Sequence, residues 1–392
     1  MHFFYSIFIH FYGLLIGFAS FFNKKASIWL NSRENWQVDL RKKIDRNENY
    51  CWIHCASAGE FEQAIPLIKR IKNNTTDNNS KIAVSFFSPS GFEMYKNSGF
   101  ADVFFYFPLD TKTNAQKLID ILHPEFVIFI RNEIWLNTLN QLKKKNIPTF
   151  LANVNIEQKR NFIYQKYLNH AYPLFTQIFD TKTFGHTKLE KVISNKNEVF
   201  NDTVLDNFCK ESFVIILGSS WFEEERFIVD FYKKHKERFP NLRIIIAPHE
   251  NLSFNSLTLK DKESIAFYSS YQASNILVID KKGILKYAYR HADIAIIGGG
   301  FGKGVHNVAE AAVYGIPTLF GANYIKFEET IELTNLQVAF PVNNYDVFEK
   351  RLLELMNNVE LRNNIKIILN NYFSNQEHAS TNIIDSIRQH LK

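Results

Sequence analysis

The sequence predicts an α/β protein made of two doubly wound halves in tandem, preceded by an apolar helix. Three observations predict it. Short apolar runs alternate with helical stretches from about residue 50 to 154. The alternation fades over 155–210 and restarts at 213. The segment Phe3–Phe22 carries no Asp, Glu, Lys or Arg. At 392 residues the chain is also too long for one ordinary domain.

The N-terminal segment comes first. Its 20 residues are long enough to span a bilayer. It has no basic start and no small-residue cleavage site, which argues against a secretory signal. At 100° per residue, His2, Ser6, His10, Gly13, Gly17 and Ser20 share one narrow stripe. Such a stripe suits packing on protein, with the greasy face left for lipid. A buried core helix is the alternative. Lys24, Lys25, Arg33, Arg41, Lys42 and Lys43 follow, which places the next segment on the cytoplasmic side of a membrane. Residues 1–35 therefore form a membrane-associating helix with a basic flank.

Residues 36–207 read as the first α/β domain. Tyr50–Ser57, Lys81–Ser88, Asp102–Asp110, Glu125–Ile130 and Ile147–Val154 are its apolar strands. Helical stretches such as Phe61–Lys72 separate most of them. Residues 208–392 read as the second domain. Its strands are Phe213–Ser220, Leu242–Glu250, Asn275–Asp280, Ala292–Gly300 and Ile316–Gly321. In such sheets ligands bind where the carboxyl ends of strands lead into helices. Two facing sheets would put the site in the cleft between them.

Composition narrows the partners. A net charge of +6 is mild for this length, and no basic–aromatic signature of nucleic-acid binding appears. The basic excess fits an anionic membrane surface or an anionic substrate. Cys51, Cys55 and Cys209 lack metal-type spacing and fit a reducing compartment.

The densest motif is GGGFGKGVHNVAEAAVYGIPTLFG, Gly298–Gly321. It joins a strand to a helix, the setting for an anion at a helix start. Its spacing fits neither dinucleotide nor P-loop fingerprints, because Lys303 or Val305 stands where a third glycine must be and Val305 where a lysine must be. Gly299, Gly300 and Phe301 still offer a bare backbone cradle for a phosphate. Val305, Val308, Ala309, Ala312 and Val313 form an apolar helical face, and His306, Asn307 and Glu310 the opposite polar arc. Glu310 is one turn in, where a ribose hydroxyl could reach it, or else it and Asn307 only satisfy the helix start.

Three other junctions carry polar groups. In HCASAGE, Ser57 and Glu60 make a capping box, or Glu60 is a general base with Gly59 admitting a substrate. Gly218, Ser219 and Ser220 offer donors to a phosphate or sugar, or cap a helix. Pro248 and His249 end a strand where a histidine could meet an anion, and Glu133 ends another, facing the predicted cleft.

With these residues in place the chain resembles the Kdo (3-deoxy-D-manno-octulosonic acid) transferases of lipid A assembly. The likeness lies in Trp52–Glu60, Glu133–Trp135, Gly218–Ser220, Ala247–Pro248 and, most specifically, Gly298–Phe327. It implies a GT-B fold of two Rossmann-like domains and no metal or cofactor. It implies CMP-Kdo as donor, a lipid A disaccharide precursor as acceptor, and work at the cytoplasmic leaflet of the inner membrane. Transfer would invert the anomeric centre, with Glu60 deprotonating the acceptor 6′-hydroxyl. Gly218–Ser220, Pro248, His249, Gly299–Phe301, His306, Asn307 and Glu310 would hold the donor. Ser57, Gly59 and Glu133 would lie on the acceptor side. The chain departs from the family pattern at His249, where many members carry arginine. Another sugar-nucleotide transferase or epimerase of the same fold, or a non-catalytic binding module, would share the glycine loop.

Overall fold

In the computed structural model, the described residues are 2–73, 80–131, 133–156, 161–249, 265–325, 327–376 and 378–391. They fall into two compact units. One comprises Met1–Lys191 with His378–Lys392, the other Val192–Glu377. The division thus lies earlier than 207, and the last helix, Ala379–Leu391, returns to the first unit. It does so because Ile383, Ile384 and Ile387 complete the apolar layer over Ile53, Phe61 and Phe150.

The first unit holds six parallel strands: β1 (Tyr50–Cys55), β2 (Lys81–Phe86), β3 (Val103–Tyr106), β4 (Pro124–Ile130), β5 (Thr149–Val154) and β6 (Gln177–Asp180). Their order is β3-β2-β1-β4-β5-β6. Strands covered on both faces read as continuous apolar runs, and all six residues of β1 are buried. Alternation then sorts its side chains. Tyr50 and Trp52 join Phe107, Leu118 and Phe129 on one face. Cys51, Ile53 and Cys55 join Phe61, Phe86 and Phe150 on the other. Burial pushes both β1 thiols up, as expected of structural cysteines. β6 lies in the segment where the sequence pattern fades. It is a four-residue edge strand, too short to show a period.

The second unit holds seven: β7 (Phe213–Ser220), β8 (Leu242–Pro248), β9 (Ile265–Phe267), β10 (Ile276–Val278), β11 (Ile294–Ile297), β12 (Thr318–Gly321) and β13 (Ala339–Val342). Their order is β13-β12-β11-β7-β8-β10-β9, and all pairings are parallel. The short edge strands β9 and β13 escape the sequence reading. Glu250, expected to end β8, lies outside the described residues.

The apolar N-terminus is a helix, but it ends at Ala19 after 18 residues. Asn23 then caps a new helix, Lys24–Asn31, by accepting from the amides of Lys25 and Ala26. Eighteen residues rise about 27 Å, just short of a hydrocarbon core. Among the described residues no helix is long and apolar enough to cross a membrane. The expected stripe faces protein in part. Ser6 donates to Asn137 and Gly13 packs on Leu109, with Ile9, outside the stripe, buried beside them. His10 is exposed instead, and the side chain of His2 lies outside the description. The opposite face leaves Phe4, Phe8, Phe11, Leu14 and Phe18 exposed.

Asp110 fastens this helix. Its buried carboxylate accepts from Tyr5 Oη at 2.7 Å, from the amides of Asn137 and Thr138, and from Thr138 Oγ1 at 2.6 Å. Burial raises its pKa to about 7 against these donors. Replacing Tyr5 by Phe removes one donor from a buried acceptor. The expected loss is about 1–3 kcal/mol, read as a lower urea midpoint with an unchanged slope.

Candidate active site

In each sheet the strand order reverses beside the first strand: between β1 and β4 in the first unit, between β7 and β11 in the second. At such a switch point the following loops leave in opposite directions and open a crevice. The candidate residues collect at these two places.

In the first unit β1 runs into the helix Ala58–Asn73, with Glu60 in its first turn. Glu60 Oε2 accepts from the amides of Ala56 at 2.5 Å and Ser57 at 3.3 Å. The glutamate therefore serves the helix start, as the capping pattern predicts. Oε1 has no hydrogen bond among the described residues. Burial, then the nearby charge of Glu133, pushes Glu60 up to about 7. The two amides and Arg131 pull the other way but are outweighed. A Cβ built on Gly59 meets nothing within 4 Å, so the space beside the helix start is open.

Glu133 follows β4 and is partly exposed. Its Oε2 accepts from Trp135 Nε1 at 2.9 Å and lies 3.4 Å from His54 Nε2. His54 is fully buried, with Nδ1 2.8 Å from Ser85 Oγ. Trp52 Nε1 donates to the same hydroxyl at 2.8 Å. Arg131, in the left-handed region at φ 63°, turns the chain at the end of β4. His54, Ser85, Trp135 and Arg131 escaped the sequence reading as site residues. A buried strand histidine looks structural until its partners are known.

In the second unit the glycine-rich segment is a tight loop, not the start of a helix. The helix begins only at Ala309, because the amide of Val305 donates to Asn323 O and that of His306 to Gly298 O. Val305, Val308, Ala309, Ala312 and Val313 are buried as expected. The bare cradle is not found at Gly299. Its amide donates to Glu224 Oε1 at 2.9 Å, and Phe301 donates to the same carboxylate. Gly302 and Gly304 donate back to Gly299 O, and Gly298 to Gly218 O. Glu224, itself almost fully buried, occupies the place an anion would take.

The glycines serve close chain crossings. A Cβ on Gly298 would fall 2.1 Å from Ser219 O, and one on Gly300 2.5 Å from Gly321 N. One on Gly218 would strike Tyr289 Oη at 1.8 Å. Ser219 sits at φ 52° where the β7 register shifts. Ser220 is buried and spends its hydroxyl on Glu225 Oε1 at 2.6 Å. Phe301 packs edge-on against Phe227.

An aromatic cluster stands over this loop. Trp221 stacks on His249 with centroids 5.0 Å apart, and His249 meets His306 at 4.4 Å. Trp221 Nε1 donates to His306 Nε2 at 3.1 Å. Burial and His249 lower the pKa of His306. Pro248 positions His249, which is exposed. Asn307 Nδ2 donates to Glu310 Oε1 at 2.9 Å, while Asn307 Oδ1 is buried with no partner among the described residues. Trp221 and Glu224 were not singled out in the sequence, since the run Trp221–Glu225 reads as an ordinary helix start. Among the described residues no cluster of His, Cys, Asp and Glu could hold a metal.

Comparison with known proteins fits this arrangement. Residues 32–197 match the family model described as 3-deoxy-D-manno-octulosonic-acid transferase (kdotransferase). The 3-deoxy-D-manno-octulosonic acid transferase of Aquifex aeolicus is 27% identical over 315 residues, covering 78% of this chain and 85% of its own. A bifunctional glycosyltransferase/methyltransferase of Fusobacterium nucleatum is 25% identical over 409 residues. That match covers 94% of this chain, which spans only 61% of that relative's length. Among solved structures, the UDP-GlcNAc 2-epimerase of Neisseria meningitidis bound to UDP-GlcNAc superposes with a TM-score of 0.61. It is 14% identical, over 87% of this chain and 100% of its own, and shows the fold alone. Two helix-wrapped parallel sheets with polar clusters at their switch points define a GT-B-like fold. More narrowly, the chain is similar to the Kdo transferases, through the family model over residues 32–197 and curated relatives at modest identity over most of its length.

The crossing at Gly218 yields a test. Gly218→Ala is expected to cost about 1–3 kcal/mol by overpacking against Tyr289. Adding Tyr289→Phe, which removes the clashing hydroxyl, should recover part of that loss in thermal melts.

Proposed function

We propose that the chain transfers Kdo from CMP-Kdo to the 6′-hydroxyl of a lipid A disaccharide precursor, with inversion and with Glu60 as general base. The observation that carries this is the state of Glu60. It sits at a switch point within the region matching the family model, and its pKa is raised to about 7. A base works best with its pKa near the working pH. Oε2 is anchored by two amides, which leaves Oε1 to take the proton.

The acceptor oxygen, as it loses its proton to Glu60, forms a bond to C2 of Kdo. The bond from C2 to the phosphate oxygen breaks, and its electron pair leaves with CMP. The second unit is the donor side. His249 and His306 can donate to the leaving phosphate, and Asn307 Oδ1 is an unsatisfied acceptor for a donor hydroxyl or amine. Gly218 and Gly298–Phe301 shape the floor of that site instead of supplying every amide to the phosphate. The exposed apolar face of the N-terminal helix, with its basic flank, would hold the protein on the cytoplasmic leaflet of the inner membrane, where such an acceptor lies.

Glu60→Gln should lose about 10²-fold or more of kcat while CMP affinity stays the same; full turnover would refute the base. In the wild-type protein a proton occupies Glu60 below about 7, so kcat/KM should fall about tenfold per unit as pH drops below that point. For the surface, Leu14→Glu with Phe18→Glu should release the protein from phosphatidylglycerol vesicles in flotation, with donor affinity intact. Retention of the double variant on vesicles would place the anchor elsewhere.

A further inference from the structure

His54 takes no part in the proposed reaction, yet it is a fully buried polar side chain that touches Glu133. It lies at the end of β1 on the face it shares with Trp52, between the rings of Phe107 and Phe129. A histidine so fully buried must satisfy both ring nitrogens. Ser85 Oγ is 2.8 Å from Nδ1, and Glu133 Oε2 is 3.4 Å from Nε2.

One proton arrangement uses every donor. Trp52 Nε1–H donates to Ser85 Oγ, and the Ser85 hydroxyl donates to His54 Nδ1. His54 Nε2–H then donates to Glu133, as does Trp135 Nε1–H at 2.9 Å. In the other tautomer His54 Nε2 accepts from Trp135 at 3.0 Å and Nδ1–H points at Ser85. Ser85 Oγ would then receive two donors, with no acceptor shown for its own hydrogen. Only the first arrangement gives the Ser85 hydroxyl hydrogen an acceptor, and in it the Trp135 indole N–H, 3.0 Å from Nε2, serves Glu133 Oε2 at 2.9 Å instead.

We propose that His54 is a positioning residue: through its Nε2–H it fixes the Glu133 carboxylate in place as the charged neighbour of Glu60. The inference rests on the reading of Glu60 as the base. Glu133 is partly exposed, so its side chain has open space to turn into. An imidazole and an indole N–H together hold it where its charge acts on Glu60. Its negative charge is the second cause, after burial, of the raised proton affinity of Glu60. That effect depends on distance and on the exclusion of water, so it weakens if the carboxylate turns outward. The other charged or titratable groups near the two carboxylates are Arg131 at the end of β4, Cys55 at the end of β1, and Tyr167 on the helix Phe162–Ala171. Arg131 opposes the effect and burial adds to it. The remaining neighbours of His54 are aromatic rings and the Ser85 hydroxyl.

Asn and Gln substitutions separate this role from mere packing. The shorter side chain of His54→Asn keeps a polar group near Ser85 but cannot reach Glu133. The longer one of His54→Gln reaches to the place of Nε2. In His54→Asn, Glu133 is released toward water, Glu60 loses its charged neighbour, and its proton affinity falls. The acidic limb of kcat/KM should therefore move down by about one pH unit, with kcat reduced about tenfold at its plateau because the base is weaker. KM for CMP-Kdo should be unchanged. His54→Gln should keep the wild-type limb. An unmoved limb in His54→Asn, or the same profile in both variants, overturns the proposal and indicates a structural role. If thermal melting shows that His54→Asn does not fold, Glu133→Gln takes its place. Its limb must move down while that of His54→Gln does not, and either failure is equally decisive. Glu60→Gln run in parallel separates the two levels. Its full turnover would remove the base reading and this inference with it. Its inactivity beside an unmoved limb would remove only the inference.

Discussion

The strand reversal beside the first strand of each sheet is the constraint on which the rest depends. Parallel strands must be joined by crossover helices, and where the order turns, the two flanking crossovers depart to opposite sides. Only there can the end of a strand face open space without a covering helix. β1 and β4 deliver Ala56–Glu60, Arg131 and Glu133–Trp135 to one such gap. β7 and β11 deliver Gly218–Trp221 and Gly298–His306 to the other. The buried alternation along β1 sets which side chains arrive. With Trp52 locked among Phe105, Phe107 and Phe129, the residue two positions on must share that face, and it is His54.

The glycine loop shows how one composition can serve two physical ends. Crowded glycines often bare amides to an anion. Here they chiefly let chains cross closer than any Cβ allows, with Gly300 and Gly321 back to back. Packing strands that tightly leaves amides pointing into a dry interior, where each needs an acceptor. Glu224 supplies it for Gly299, Phe301 and Trp221. A carboxylate so enclosed is costly alone, and burial does raise its pKa, but three amides offset that cost. The loop is a rigid floor, and on the proposed reading the groups left to meet a ligand are the side chains above it: Trp221, His249, His306 and Asn307.

Much of this was legible in the sequence. The long central strands were, because burial on both faces writes an unbroken apolar run. β6, β9 and β13 were not, since three or four residues at a sheet edge carry no period. Glu60 was visible because its spacing from Ser57 and its place after a strand are local facts. Partners from distant segments were invisible. Ser85 stands 31 residues from His54 and Glu133 stands 79, so only the register of β1 with β2 and β4 joins them. The same limit hid Glu224, whose partners are the amides of a loop 75 residues away. The apolar segment forms a helix with one face on protein and the other exposed, and it stops at Ala19, short of the end of the uncharged run at Phe22 and before the Asn23 cap.

The proposed role of Glu60 as base asks two things of it that conflict. A carboxylate accepting two amides at a helix start is stabilised in its charged form, which on its own would make it a weak base. Burial and Glu133 act the other way, and their sum prevails, since the value rises from 4.5 to about 7. The two sets of forces do not simply cancel. The amides grip Oε2 and fix direction, while burial and charge act on the whole carboxyl group and set proton affinity. Orientation and basicity are thus supplied by different neighbours. A loss of Glu133 would leave Glu60 well aimed but less basic, whereas a loss of the amide contacts would leave it more basic but unaimed.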